Sequence, residues 1–149
     1  MAKATASVEQ IASSCIAGRV RLLSRVITNL YDDALRPFGV KLSQGNVLAV
    51  TARLGVARPA QVCDILELDP STLSRTVDRM AANGWLEVVP DEDGRSQPFR
   101  LTAEGRRLME RTLPAWEQAQ AAAKKLLGDD GLRLLDAAIG RVKAAHAGV

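Results

Sequence analysis

The sequence predicts a mostly α-helical fold with one small β-hairpin, and three observations carry that prediction. Apolar residues recur with helical period over most of the 149 residues. A turn-rich stretch, PDEDGRS, separates two short runs of strand character at 85–89 and 97–101. The hairpin also follows directly on a helix with a marked start, Asp69-Pro70, and a marked stop, Asn83-Gly84.

The elements follow in order. Val8, Ile11, Cys15, Ile16, Val20, Leu23, Val26, Ile27, Leu30 and Leu35 predict one helix over 8–35, ended by Pro37 and Gly39. At 1.5 Å per residue it would be roughly 42 Å long, more than a compact domain of this size needs. A second helix is expected from a Ser43 cap through Gln44, Val47, Leu48, Val50 and Leu54 to Gly55. A short third helix follows Pro59 and holds Val62, Ile65 and Leu66. The fourth is capped by Asp69 and opened by Pro70, whose missing N–H costs nothing at a first helical position. Leu73, Val77, Met80 and Ala81 form its apolar stripe; Ser71, Thr72, Arg75 and Arg79 project from the other side. Beyond Thr102 a long helix carries Leu108, Met109, Leu113, Trp116, Ala119, Ala123, Leu126 and Leu127, and because Pro114 lies inside this pattern a kink or short interruption is expected near Leu113. Gly128-Asp129-Asp130 breaks it, and a last helix runs through Leu132, Leu135, Ile139 and Val142.

Composition narrows the function. Five aromatic residues are too few for a base-stacking surface on single strands. No apolar run reaches the length of a membrane span, and MAKATASVEQ lacks a signal peptide's apolar core, so a cytoplasmic protein is expected. Cys15 and Cys63 fit no metal spacing, and His146 is the single histidine. Neither a metal nor a cofactor is expected, and an enzyme is disfavoured. The net charge of +3 leans toward an anionic partner. Residues 43–101, however, hold six Lys/Arg against eight Asp/Glu, a net of −2. Affinity for DNA would then depend on where Arg75, Arg79 and Arg95 sit, with Lys41 and Arg53 as further phosphate contacts.

A helix exposing hydroxyls and arginines, followed by a hairpin with an arginine at its tip, is the order of a winged helix-turn-helix, which reads double-stranded DNA. The expected organisation is an N-terminal dimerisation helix (1–42), a winged helix-turn-helix (43–101) and C-terminal dimerisation helices (102–149), intertwined in one domain. Apolar stripes at both chain ends favour a two-fold homodimer that reads an inverted repeat. Two other readings stand beside this one: a solvated helix face whose wing arginine pairs with Asp91 or Asp93, and a winged helix that binds protein and not DNA. Trp85 and Trp116 are read as core anchors.

The run STLSRTVDRMAANGWLEVVPDEDGRSQPFRLTAEG, preceded by LSQGNVLAV and followed by long helices, resembles the multiple antibiotic resistance regulator (MarR) family of bacterial winged-helix repressors. The resemblance covers nearly the whole chain. Its specific parts are the hydroxyl-rich start of the reading helix, the Asp93-Gly94-Arg95 wing, the Leu-Thr-x-x-Gly of LTAEG and Gln44. It implies that Ser71, Thr72, Ser74 and Arg75 address the major groove and nearby phosphates. It further implies that Arg95 enters the minor groove, held by Asp93, while Arg79 touches the backbone. It also implies release from DNA by a signal. One candidate is oxidation of Cys15, helped by Arg19, although the tyrosines of peroxide sensors are missing apart from Tyr31 and an inert core thiol is the alternative. The other is a small-molecule effector, often an aromatic acid, where the dimer helices meet the reading head. Tyr31, Asp32 and Asp33 are either part of that pocket or a helix-end charge cluster.

Overall fold

A computed structural model describes residues 2–91, 94 and 96–147, with side chains described within 8–146 of these. In chain order the elements are α1 (Ala2–Ser14), α2 (Ile16–Leu35), a 3-10 turn (Arg36–Phe38), α3 (Leu42–Leu54), β1 (Val56–Ala57), α4 (Pro59–Leu66), α5 (Pro70–Ala82), β2 (Leu86–Val88), β3 (Phe99–Leu101) and α6 (Ala103–Ala147). The expected class, helical with a small β wing, is the observed one. Contacts divide the chain into two compact units, Ala34–Glu117 and Met1–Asp33 with Gln118–Val149.

The first unit is built around α3, α4, α5 and a three-stranded antiparallel sheet of order β1-β3-β2. Its core gathers one face of each element: Val47 and Leu48 from α3, Val62 from α4, Leu73 and Met80 from α5, Leu86, Phe99 and Leu101 from the sheet, and Leu108 from α6. α3 starts one residue before Ser43, and Ser43 does not cap it. Lys41 is the N-cap, and the Gln44 side chain reaches back so that its Oε1 accepts the Lys41 N–H at 3.0 Å. Gln61 does the same for Arg58 at the start of α4, at 3.2 Å. The glutamines thus satisfy end donors that the helices leave without partners.

β1 has no counterpart in the sequence reading. Two residues show no periodicity, and the strand exists through pairing of Val56 with Arg100 and Ala57 with Phe99. β2 and β3 keep three residues each of the expected five, with Leu86 opposite Leu101 and Val88 opposite Phe99. At the end of α5 the stop falls to Gly84, at φ 75°, while Asn83 remains right-handed. The Trp85 N–H returns to the Met80 carbonyl at 2.9 Å, closing the helix before the hairpin begins.

The LTAEG motif joins the hairpin to α6. Thr102 Oγ1 donates to the Gly84 carbonyl at 2.6 Å and accepts the Gly105 N–H at 3.0 Å. The Thr102 N–H donates to the Trp85 carbonyl at 3.1 Å. Gly105 is buried against that same carbonyl: a Cβ there would stand 2.2 Å from the Trp85 oxygen.

In the second unit the helix expected over 8–35 is two helices, parted at Cys15. Ser13 Oγ and Ser14 Oγ donate back to the Glu9 and Gln10 carbonyls at 2.8 and 2.5 Å. Such back-bonds are known to bend helices, and the backbone bonds continue through the joint, from the Cys15 N–H to the Ile11 carbonyl at 3.2 Å and from the Arg19 N–H to the Cys15 carbonyl at 3.1 Å. Ala119 and Ala123 are buried, as is Tyr31, whose hydroxyl donates to Gln120 Oε1. Along α6 the break falls at Gly128 (φ 67°, ψ 169°), as its position in the sequence predicts. No interruption occurs at Pro114, because it lies on an exposed face where solvent takes over the carbonyl deprived of its donor. No helix among the described residues is long and apolar enough to cross a membrane.

Candidate nucleic-acid interface

α5 is divided as its sequence predicts. Leu73, Val77 and Met80 are buried, and Ser71, Ser74, Arg75 and Arg79 are exposed; Thr72 is half-buried. Arg75 and Arg79 lie one turn apart on the same face. Among the described residues no carboxylate is within ion-pair distance of either guanidinium, so both charges face outward.

Asp69 organises the start of this helix. Its Oδ1 accepts the Ser71 N–H at 2.9 Å, the Ser71 hydroxyl at 2.6 Å and the Thr72 N–H at 3.4 Å, and its Oδ2 accepts the Thr72 hydroxyl. Hydrogen bonds from the Ser71 and then the Thr72 side chain lower its carboxyl to about 2. The hydrogens of both hydroxyls are therefore committed to a carboxylate, which can only accept. Outward they offer lone pairs, which suit the amino groups of adenine and cytosine and not phosphate oxygens. The sequence puts these two hydroxyls in the first turn of α5 without revealing their polarity.

Asp93 and Arg95, the residues expected at the wing tip, lie outside the described residues. The root of the wing is described, and it holds a network that sequence reasoning missed. Arg58 Nη1 stands 3.3 Å from Asp91 Oδ1 and donates to Ser96 Oγ at 3.0 Å, while Asp91 Oδ2 accepts the Ser96 hydroxyl at 2.9 Å. The Asp91 side chain is 8% exposed. The Ser96 hydroxyl, and after it the Arg58 charge, hold its carboxyl below the usual carboxylate range. Asp91 thus ties the segments that follow β2 and precede β3 to Arg58, the N-cap residue of α4. In the sequence Arg58 is only the residue before Pro59, and nothing local signals a partner 33 positions away. On the adjacent sheet face, Arg100 and Glu87 pair across β2 and β3 at 2.6 Å. Lys41 and Arg53 are exposed.

The candidate signal residues are placed as follows. Cys15 is exposed in the single chain and its Sγ accepts the Gly18 N–H at 3.4 Å. Arg19 does not turn to that sulfur but donates to the Ser13 carbonyl at 2.8 Å. Cys63 is half-buried, and burial followed by the Asp64 and Asp69 carboxylates pushes its thiol up. Tyr31 is packed with Gln120, and burial raises its phenol. Trp85 packs against the core as expected. Trp116 does not: it is 40% exposed and lines an apolar cavity of about 320 Å³ with Leu35, Val40, Leu48, Leu108 and Leu113. A larger cavity, about 620 Å³, lies between α4, α5 and the hairpin. Among the described residues no group of three His, Cys, Asp or Glu side chains is placed to hold a metal ion.

Comparison with known proteins adds the following. The model of the MarR family matches residues 38–96, which covers α3 to the hairpin. An uncharacterised HTH-type transcriptional regulator of Bacillus subtilis, YwoH, is 30% identical over 87 residues, 58% of this chain and 64% of that protein. The chain thus spans just under two thirds of that relative. The Mycobacterium tuberculosis transcriptional regulator MOSR, solved in complex with DNA, is 28% identical with a TM-score of 0.77, covering 89% of this chain and 98% of that one. A mutant of Escherichia coli MarR complexed with operator DNA superposes with a TM-score of 0.79 at 20% identity, over 89% and 96% of the two chains, and shows the shared fold.

Proposed function

We propose, from the match of residues 38–96 to the MarR family model, that this chain is a MarR-family homodimeric transcriptional repressor, not an enzyme, that binds an inverted-repeat operator in double-stranded DNA. The observation that carries this reading is α5. Its buried stripe fixes the helix on the core, while Ser74, Arg75 and Arg79 and the lone pairs of Ser71 and Thr72 stand exposed beside a hairpin anchored by Asp91. The structural relative MOSR, 28% identical, was solved in complex with DNA, which supports DNA binding by this chain. In this reading α5 enters the major groove. Arg75 reads a base edge or a nearby phosphate, Arg79 holds the backbone, and Arg95, with Asp93 beside it, reaches the minor groove.

The division of labour proposed is 43–101 for reading and 1–42 with 102–149 for dimerisation. Ile11, Ile16, Val20 and Leu22 on the N-terminal helices and Leu126, Leu134, Ile139 and Val142 on α6 are exposed in the single chain. A second copy covering them removes apolar surface from water at about 25 cal/mol per Å². The dimer would then set two reading helices about 34 Å apart, one turn of DNA.

Release from DNA follows from a change in that spacing. The cavity walled by Leu48, Leu108, Leu113 and Trp116 supports a small apolar effector, and exposed Cys15 supports oxidation as the other signal. Selecting bound sequences from random duplex DNA tests the core of the proposal. Recovery of an inverted repeat with half-sites one turn apart is the expected result; no enrichment over input overturns it.

A further inference from the structure

The first turn of α5 has no hydrogen left for an outside acceptor. Pro70 carries no N–H, and the N–H groups of Ser71 and Thr72 go to the Asp69 carboxylate at 2.9 and 3.4 Å. The Leu73 N–H donates to the Asp69 carbonyl at 3.1 Å. The hydroxyl hydrogens of Ser71 and Thr72 go to Asp69 Oδ1 and Oδ2. A helix start with open N–H groups attracts anions; this one is closed, and a carboxylate stands at it. Phosphate is therefore a poor partner for this turn. What faces outward is the lone pairs of Ser71, which is exposed, and of Thr72, which is half-buried.

A free hydroxyl rotates to meet either a donor or an acceptor, and so distinguishes bases poorly. Held by Asp69, both hydroxyls only accept. The donors in the major groove are the amino groups of adenine and cytosine, whereas guanine and thymine present acceptors there. Every base pair carries one such amino group, so an acceptor selects the strand on which it lies. Arg75, one turn on from Ser71 and on the same face, only donates. We propose that Asp69 is a positioning residue that makes the start of α5 a reader of amino groups, selecting adenine or cytosine over guanine or thymine on one strand of each half-site. Arg75 then takes the acceptors of a neighbouring base. This role rests on the proposed insertion of α5 into the major groove.

Selection from random duplex DNA, run in parallel on the full-length wild type, on Asp69→Asn and on Ser71→Ala combined with Thr72→Val, tests it. Asparagine keeps an oxygen for the two N–H groups, but its amide hydrogens take a hydroxyl lone pair and release that hydroxyl's own hydrogen outward. The wild type should enrich adenine or cytosine roughly tenfold at a position of each half-site, the size of one hydrogen bond made against one left unmade. Asp69→Asn should lose that preference there and keep the preferences at other positions. A cap that served only stability would instead lower affinity for all sequences alike. The variant without hydroxyls should lose the same preference. In the wild-type consensus duplex, replacing that adenine by purine, or that cytosine by 2-pyrimidinone, removes only the amino group and should weaken binding by the same factor. Unchanged base preference in either variant, or undiminished affinity for the duplex without the amino group, overturns the role of Asp69 and leaves DNA binding in place. Failure of the wild type to enrich any duplex overturns the functional proposal and this role with it.

Discussion

Gly105→Ala should loosen the joint between the wing and α6. The added methyl would sit 2.2 Å from the Trp85 carbonyl oxygen and 3.1 Å from Leu101 Cδ2. The first distance is roughly 1 Å short of ordinary contact, and the obstructing atom is backbone. Overpacking of this kind costs about 1–3 kcal/mol. Moving the Trp85 carbonyl also weakens the bond it accepts from the Thr102 N–H, about 1 kcal/mol more. Against this, Ala is favoured over Gly in a helix by about 1 kcal/mol. The net expectation is a loss of about 1–3 kcal/mol, or roughly 3–10 °C in melting temperature for a chain of this size. Gly45→Ala is the internal control. It lies in α3, with nothing within 4 Å of its added Cβ, so helix propensity alone should stabilise it by up to about 1 kcal/mol. The assay is thermal unfolding followed by circular dichroism at one fixed protein concentration, since the proposed dimerisation would make the midpoint concentration-dependent. A Gly105→Ala protein that melts at or above the wild type would refute the reasoning.

Other perturbations probe the interface and the thiols. Arg95→Ala should lower duplex affinity and reduce the slope of log affinity against log salt by about 1, read from binding across a salt series; an unchanged slope removes Arg95 from the phosphate and groove contacts. Asp91→Asn removes the charge that holds Arg58 and should weaken operator binding in a duplex titration; because the Asp91 side chain is 8% exposed and also accepts the Ser96 hydroxyl, the melting temperature should fall as well. Asp69 titrates near 2 in the folded chain, below its ordinary 3.8. Its contribution to stability is therefore complete above about pH 4 and is lost as pH falls toward about 2. Asp69→Asn, which still caps, should show a flatter stability profile across that window in acid unfolding. Finally, Cys15 should react with a maleimide well before Cys63, whose thiol is half-buried and pushed up by its acidic neighbours. Mass mapping of the first adduct decides this, and labelling at Cys63 first would contradict it.

What could be read directly from the chain was whatever local chemistry controls. The cap at Asp69, the first-turn Pro70, the buried stripe Leu73-Val77-Met80, the Gly84 stop and the Gly128 break each depend on a few neighbouring residues, and each is found where the sequence puts it. Apolar periodicity continues through Cys15 and so gives no sign of the division between α1 and α2, and the serine back-bonds beside that division leave no mark on the hydrophobic pattern. Residue type points to a cap at Ser43, whereas the α3 start is closed by Gln44 reaching back to the Lys41 N–H.

The sequence by itself determined the capped helix α5, the presence of a hairpin after it, and which face of α5 is buried, because helical period and turn chemistry act over a few residues. Tertiary structure alone decided three other things: β1, the need for glycine at 105, and the Arg58–Asp91–Ser96 tie at the wing root. All three depend on residues brought together from distant positions, and neither their spacing nor their composition records that proximity. The polarity of Ser71 and Thr72 lies between the two cases: their partner is two or three residues away, yet only the folded cap commits their hydrogens to Asp69.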